Sequence, residues 1–115
     1  MLNNSESLDR IFYALSDQSR RSMIEHLSKK DASVSELAQP FNMSMAAVVQ
    51  HIQVLEECGL IRTHKSGRVR TCRFEPRTLE VIETWLSHRR RFWERNLDQL
   101  GEFLERNQNK GKKKS

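Results

Sequence analysis

Apolar residues recur at helical spacing through most of this chain, with one interruption. Leu8, Ile11, Phe12 and Leu15 share one helical face. Met23, Ile24 and Leu27 form another after a corner at Asp17 and Ser19, so the first thirty or so residues predict two scaffold helices. Arg20 and Arg21, at the start of the second, could reach phosphate or cover the helix surface, and the second option suits Arg21 better. A third helix is announced by Ser33-Val34-Ser35-Glu36, in which serine and a glutamate three residues on can each satisfy a free amide. Pro40 stops it near Ala38 or Gln39, because proline lacks an N–H and clashes with the preceding turn. A short corner, Phe41-Asn42-Met43, comes next, with Asn42 the residue expected to take a left-handed backbone there. Ser44 then caps a fourth helix whose Val48, Ile52 and Leu55 make a stripe for burial.

At Gly59, in the position of a helix C′ residue, the period changes. Leu60 to Lys65 and Arg70 to Phe74 have strand character, and Ser66-Gly67-Arg68-Val69 reads as the hairpin tip between them. Helical spacing returns after Pro76 and runs from Leu79 through Leu104 without another proline, a helix of roughly 40 Å. The pattern predicts a mainly α fold with a small β-hairpin, a winged helix-turn-helix. It has four helices, a two-stranded wing and a long C-terminal helix. Residues 1–106 form the domain, and the polar, lysine-rich stretch 107–115 is expected to be a disordered basic tail.

So small a domain cannot cover the long helix alone. Burial against the same helix of a second copy, assisted by the first helix, predicts a homodimer. Its interface would use Leu8, Phe12, Leu79, Ile82, Trp85, Leu86, Phe92, Trp93 and Leu97. Trp85, Phe92 and Trp93 could instead line a small-molecule pocket, although aromatic stripes at helical spacing usually pack.

The candidate chemistry is recognition of double-stranded DNA. Met45 and Ala46, behind Ser44, let the start of the fourth helix approach a phosphate or base edge closely. Gln50 can donate and accept together, which suits the N6 and N7 edge of adenine, and His51 lies beside it. Between Arg62 and Arg73 stand five cations, Arg62, Lys65, Arg68, Arg70 and Arg73, and no acid. Such a ribbon protects an edge strand or, on the sharper reading, grips phosphates. The net charge of +5 is uneven, with five basic against eight acidic residues in 1–58 and fifteen against seven in 59–115. Phosphate affinity must therefore come mainly from the wing and the later cations.

Asp17-Gln18-Ser19-Arg20-Arg21, Ser35-Glu36-Leu37-Ala38, and Ser44 through His51 with Leu55 together resemble the ArsR-type winged-helix repressors, over almost the whole chain. The resemblance implies a homodimeric transcriptional regulator whose fourth helix enters the major groove while the wings follow the flanking backbone. By position it places Ser44, Met45, Ala46, Gln50 and His51 on the reading helix and Lys65, Arg68 and Arg70 on the wing. Val49 stands where many members carry serine. Two reading helices about one DNA turn apart, roughly 34 Å, call for an inverted-repeat operator.

Other classes find little support. No apolar run approaches a membrane span and the first residues lack a signal-peptide pattern, so a cytoplasmic protein with no membrane partner is expected. Metal sensors of the ArsR type use cysteines on the third helix or carboxylate and histidine pairs on the last. Here Ser35 to Phe41 has no cysteine and the last helix offers only His88, so no metal or other cofactor is expected. No Gly-rich phosphate loop, paired carboxylates or nucleophile with a base suggests an enzyme. Two other readings stay open: a winged helix that serves only as a protein-interaction module, and a redox-responsive regulator using Cys58 and Cys72. A small-molecule or protein inducer would leave no mark that the sequence displays.

Overall fold

The computed structural model describes residues 4–112. Its elements are α1 (Asn4–Leu15), α2 (Gln18–Lys29), β1 (Ala32–Ser33), α3 (Val34–Ala38) and α4 (Met45–Glu57). They are followed by β2 (Ile61–Ser66), β3 (Val69–Phe74), a 3-10 turn (Pro76–Leu79) and α5 (Glu80–Lys112). The fold divides into a compact unit ending at Ile82 and a helical unit beginning at Glu83.

Local chemistry sets most of the boundaries in the compact unit. Asp17 caps α2 by accepting from the Arg20 amide at 3.0 Å, and that hydrogen bond is the main reason its carboxyl titrates below the usual range. The capping box forms at α3: the Glu36 amide donates to Ser33 Oγ and the Ser33 amide to Glu36 Oε1, both at 3.1 Å. Ser44 caps α4 by accepting from the Ala47 amide at 3.1 Å. At the far end of α4, Gly59 takes φ +84°. Its amide donates to Glu56 O and that of Leu60 to Leu55 O, each at 3.0 Å, so two end carbonyls are satisfied together. A Cβ at Gly59 would also come within 3.2 Å of Thr78 Oγ1, which donates to Gly59 O.

The core gathers α1 to α4 over one sheet. Ile11 and Ala14, Met23 and Leu27, Leu37, and the α4 stripe Val48, Ile52 and Leu55 are buried with Leu60, Ile61 and Cys72. Leu79, Val81 and Ile82 close its edge, half-buried. Burial of such side chains, each stabilising by about 1.5–3 kcal/mol, is what the helical periodicity anticipates.

Four expectations are corrected. The sheet has three strands, not two, in the order β1-β3-β2 and antiparallel throughout, with Ala32 opposite Cys72 and Ser33 opposite Thr71. A strand of two residues is too short to show alternation, so only the distant partner reveals it. The hairpin tip is tighter than expected, since Ser66 pairs with Val69 and only Gly67-Arg68 turns. Positive φ falls on Gly67 alone (+62°), the sign pattern of a type II′ turn, which matches strand twist. Asn42 is not left-handed: among the described residues only glycines have positive φ. The turn that begins with Phe41 N donating to Ala38 O leaves enough chain before Ser44 to round the corner at negative φ. Finally, α5 continues through Lys112, past the Asn107 boundary expected for the tail. Polarity alone does not break a helix when no proline intervenes; residues 113–115 lie outside those described.

Candidate nucleic-acid interface

The helix-turn-helix presents α4 edge-on. With Val48, Ile52 and Leu55 buried, the opposite face exposes Ala46, Gln50, Gln53 and Glu57, successive positions on one stripe. Met45 is half exposed at its start. The Ser44 hydroxyl accepts from Ala47, which leaves its own proton for donation, and the Met45 and Ala46 amides have no partner within the helix. Gln53 is an addition to the residues expected from sequence. Its spacing of three from Gln50 is the signal that marks it.

His51 differs from its neighbours. Its side chain is only 21% exposed, with Nδ1 3.1 Å from Arg20 Nη1 and 3.9 Å from Asp17 Oδ2. Arg20 is the one buried charged residue described, 7% exposed, and neither reaches phosphate nor covers the helix surface, the two roles that its sequence position suggests. Its Nε donates to Ala14 O at 2.8 Å and its Nη2 to Tyr13 O at 3.1 Å, while the guanidinium lies 5.0 Å from the Tyr13 ring centroid. Arg20 thus ties the last turn of α1 to α2 and α4. Arg21 stays on the surface as expected, donating to Leu15 O.

Register sorts the wing cations. Lys65 lies opposite Arg70 and Thr63 opposite Cys72, so these four share the sheet face that leads inward to the core. Arg62 lies opposite Arg73 on the other face, and its Nε is 3.7 Å from Glu75 Oε1. Lys65, Arg68 and Arg70 line, with Thr63, an open hollow of about 550 Å³. Lys65 and Arg68 make no ion pair among the described residues, but Arg70 does. Its Nη2 is 3.9 Å from Glu56 Oε1 and its Nε donates to Thr63 Oγ1, whose hydroxyl donates to Glu56 Oε2. A carboxylate at the end of α4 therefore already engages this arginine. Glu56→Gln is expected to free it, raising affinity for random duplex by about 2- to 5-fold and steepening the salt dependence by about one unit of slope for each subunit bound. Titration of an arbitrary duplex at several salt concentrations checks this.

The thiols are poorly suited to a redox role. Cys72 is fully buried in the core, where desolvation pushes its pKa up to about 11. Burial also raises that of Cys58, whose Sγ donates to Leu55 O. Both therefore remain protonated at neutral pH, when thiolate is the reactive form. No group of three or more His, Cys, Asp or Glu residues among those described is placed to hold a metal ion.

The residues expected at a dimer interface fall into two sets. In the compact unit Leu8, Leu79 and Ile82 are half-buried, the last two against the unit's own core, and Phe12 is exposed. In the helical unit Leu86, Phe92, Trp93 and Leu97 are exposed, and Trp85 meets Trp93 edge-on with ring centroids 6.1 Å apart.

Comparison with known proteins bears directly on this arrangement. A helix-turn-helix domain model matches residues 15–64, from the last residue of α1 into β2. The HTH-type transcriptional regulator Rv2034 of Mycobacterium tuberculosis is 32% identical over 104 residues, 90% of this chain and 94% of that protein. The crystal structure of an ArsR family transcriptional regulator superposes with a TM-score of 0.77 at 46% identity, covering 82% of this chain and 97% of that one. This chain belongs to the ArsR family. The transcriptional repressor SdpR of Bacillus subtilis is 28% identical over 61 residues, covering 53% of this chain and 68% of SdpR. As an ArsR-family regulator the protein is a DNA-binding transcription factor with a winged helix-turn-helix, and not an enzyme. No helix among the described residues is long and apolar enough to cross a membrane.

Proposed function

We propose that this ArsR-family regulator represses transcription by binding an inverted-repeat operator as a homodimer. The observation that carries the reading is the exposed stripe of α4, Ala46, Gln50 and Gln53, set opposite its buried face and begun by the Ser44 cap. A helix presented this way fits a major groove, its first-turn amides meeting phosphate and Gln50 meeting a base edge. Lys65 and Arg68, without internal ion pairs, supply the flanking phosphate contacts, and Arg70 joins them when it leaves Glu56. Ser44, Met45 and Ala46 set how closely the helix approaches. Likeness to a protein named as a repressor supports the direction of control.

Selection of bound duplexes from a random library tests the operator. An inverted repeat is expected, and no enrichment would overturn the proposal. With the selected duplex, Gln50→Ala is expected to cost about 1–3 kcal/mol and to relax preference at one base pair. Arg68→Ala is expected to weaken selected and random duplexes alike and to flatten the salt slope of the dimer by about two, one for each subunit. With about three wing cations per subunit engaged, the log–log slope for the dimer is expected at about −5. If both variants act uniformly on all sequences, Gln50 does not read a base.

A further inference from the structure

We infer that the buried Arg20 acts on DNA recognition at a distance, as a positioning residue that fixes His51 in one tautomer so that α4 presents a single hydrogen-bond donor there. The inference rests on the DNA reading proposed above and adds the atom through which His51 takes part.

A guanidinium has five donors and no acceptor. The Arg20 Nη1 that stands 3.1 Å from His51 Nδ1 can therefore only donate, and Nδ1 must carry its lone pair inward. The remaining proton of the neutral ring is then on Nε2. Asp17 Oδ2, at 3.9 Å from the same Nδ1, is beyond hydrogen-bond reach and cannot draw the proton to that side. Arg20 is itself held in place by Ala14 O, Tyr13 O and the Tyr13 ring, so this donor does not wander.

Among the described residues His51 forms its one side-chain hydrogen bond through Nδ1, and no buried side-chain nitrogen or oxygen lacks a partner. Nε2 is consequently the solvent-facing edge of the ring. It sits next to Gln50 on the helix and offers N–H outward. A free imidazole interchanges donor and acceptor, but this one can satisfy only acceptors: purine N7 or O6, thymine O4, or a phosphate oxygen. A cytosine or adenine amino group at the same place would meet another donor.

Long-range proton–nitrogen NMR of the full-length wild-type protein, at a pH where His51 is neutral, reads the tautomer directly. The expected spectrum has bare Nδ1 and protonated Nε2 for His51 alone, with averaged nitrogens for the exposed His26, His64 and His88. An averaged or Nδ1-protonated His51 overturns the inference. The functional half is read on the selected duplex with folded variants. His51→Ala should lose about 10- to 100-fold in affinity, the equivalent of one hydrogen bond in each half-site. A loss confined to one base pair identifies a base edge, and a uniform loss identifies phosphate; either supports the donor role. Arg20→Lys should lower affinity in the wild-type background and add nothing in the His51→Ala background. Equal losses in both backgrounds overturn positioning through His51. If wild-type protein binds no duplex, the DNA reading fails and the role of His51 with it, a result the NMR assignment does not share.

Discussion

Replacing Leu97 and Leu100 together by aspartate is expected to give a monomer whose affinity for the selected duplex falls by about 100- to 10,000-fold. Both leucines are exposed on α5, Leu97 to 63%, in a series with Trp93 and Leu104 at spacings of four, three and four. That is the spacing that a two-helix seam requires, and a contiguous apolar face on a small protein is the kind of surface that association buries. Phe92 and Phe103 broaden it. Two aspartates in the seam would have to be buried without partners, which dimerisation cannot offset. A monomer then holds one half-site at a time and loses the gain that comes from linking two modules, which is where the expected range originates. None of these residues belongs to the core of the compact unit, so its thermal unfolding should be unaffected. Sedimentation equilibrium and duplex titration on the same preparation check the prediction. A variant that remains dimeric would show that the α5 seam is not the interface. A monomer with undiminished affinity would show that two reading helices are not required.

The reach of each interaction decides how much of this fold is legible in the sequence. The box of Ser33 and Glu36, the Ser44 cap, the stripe Val48, Ile52 and Leu55, and the left-handed Gly59 depend on residues a turn or two apart, and all form as expected. The misses at the tip of the wing, at Asn42 and at the end of α5 are local, but those that shape the sheet and the candidate interface are non-local. Strand β1 exists because Ala32 and Ser33 meet Cys72 and Thr71, and nothing in two residues advertises that pairing. Within the candidate interface, the exposure of Gln50 can be read from helical phase, but the Glu56 and Thr63 contacts of Arg70 require knowing how the wing lies beside α4. The two adjacent arginines of α2 look alike in sequence, yet one is buried and one exposed. One clue is present: the last turn of α1 has no basic residue, and its carbonyls need donors from elsewhere.

That distinction between neighbours yields a sharp stability prediction. Arg20→Met is expected to destabilise the fold by about 2–4 kcal/mol, whereas Arg21→Met should change it by less than about 0.5 kcal/mol. Methionine keeps most of the aliphatic volume of arginine, so the loss at Arg20 is one of hydrogen bonds rather than of packing. The three acceptors it serves are not equally exposed to that loss. Tyr13 O also accepts from the Ser16 amide at 3.1 Å and from Ser16 Oγ at 2.6 Å, and stays satisfied. Ala14 O belongs to a fully buried residue and would be stranded, as would His51 Nδ1 unless the ring turned outward. An orphaned buried acceptor costs about 1–3 kcal/mol, and Ala14 O at that cost together with the only part-buried His51 Nδ1 at about 1 kcal/mol gives the stated range. Arg20→Lys should fall between the two variants, since one ammonium can reach one acceptor but not span α1 and α4 together. Urea denaturation of the three variants beside the wild type measures the differences. An Arg20→Met protein as stable as Arg21→Met would mean that water replaces the guanidinium at Ala14 O, and that Arg20 does not clamp α1 to the reading helix.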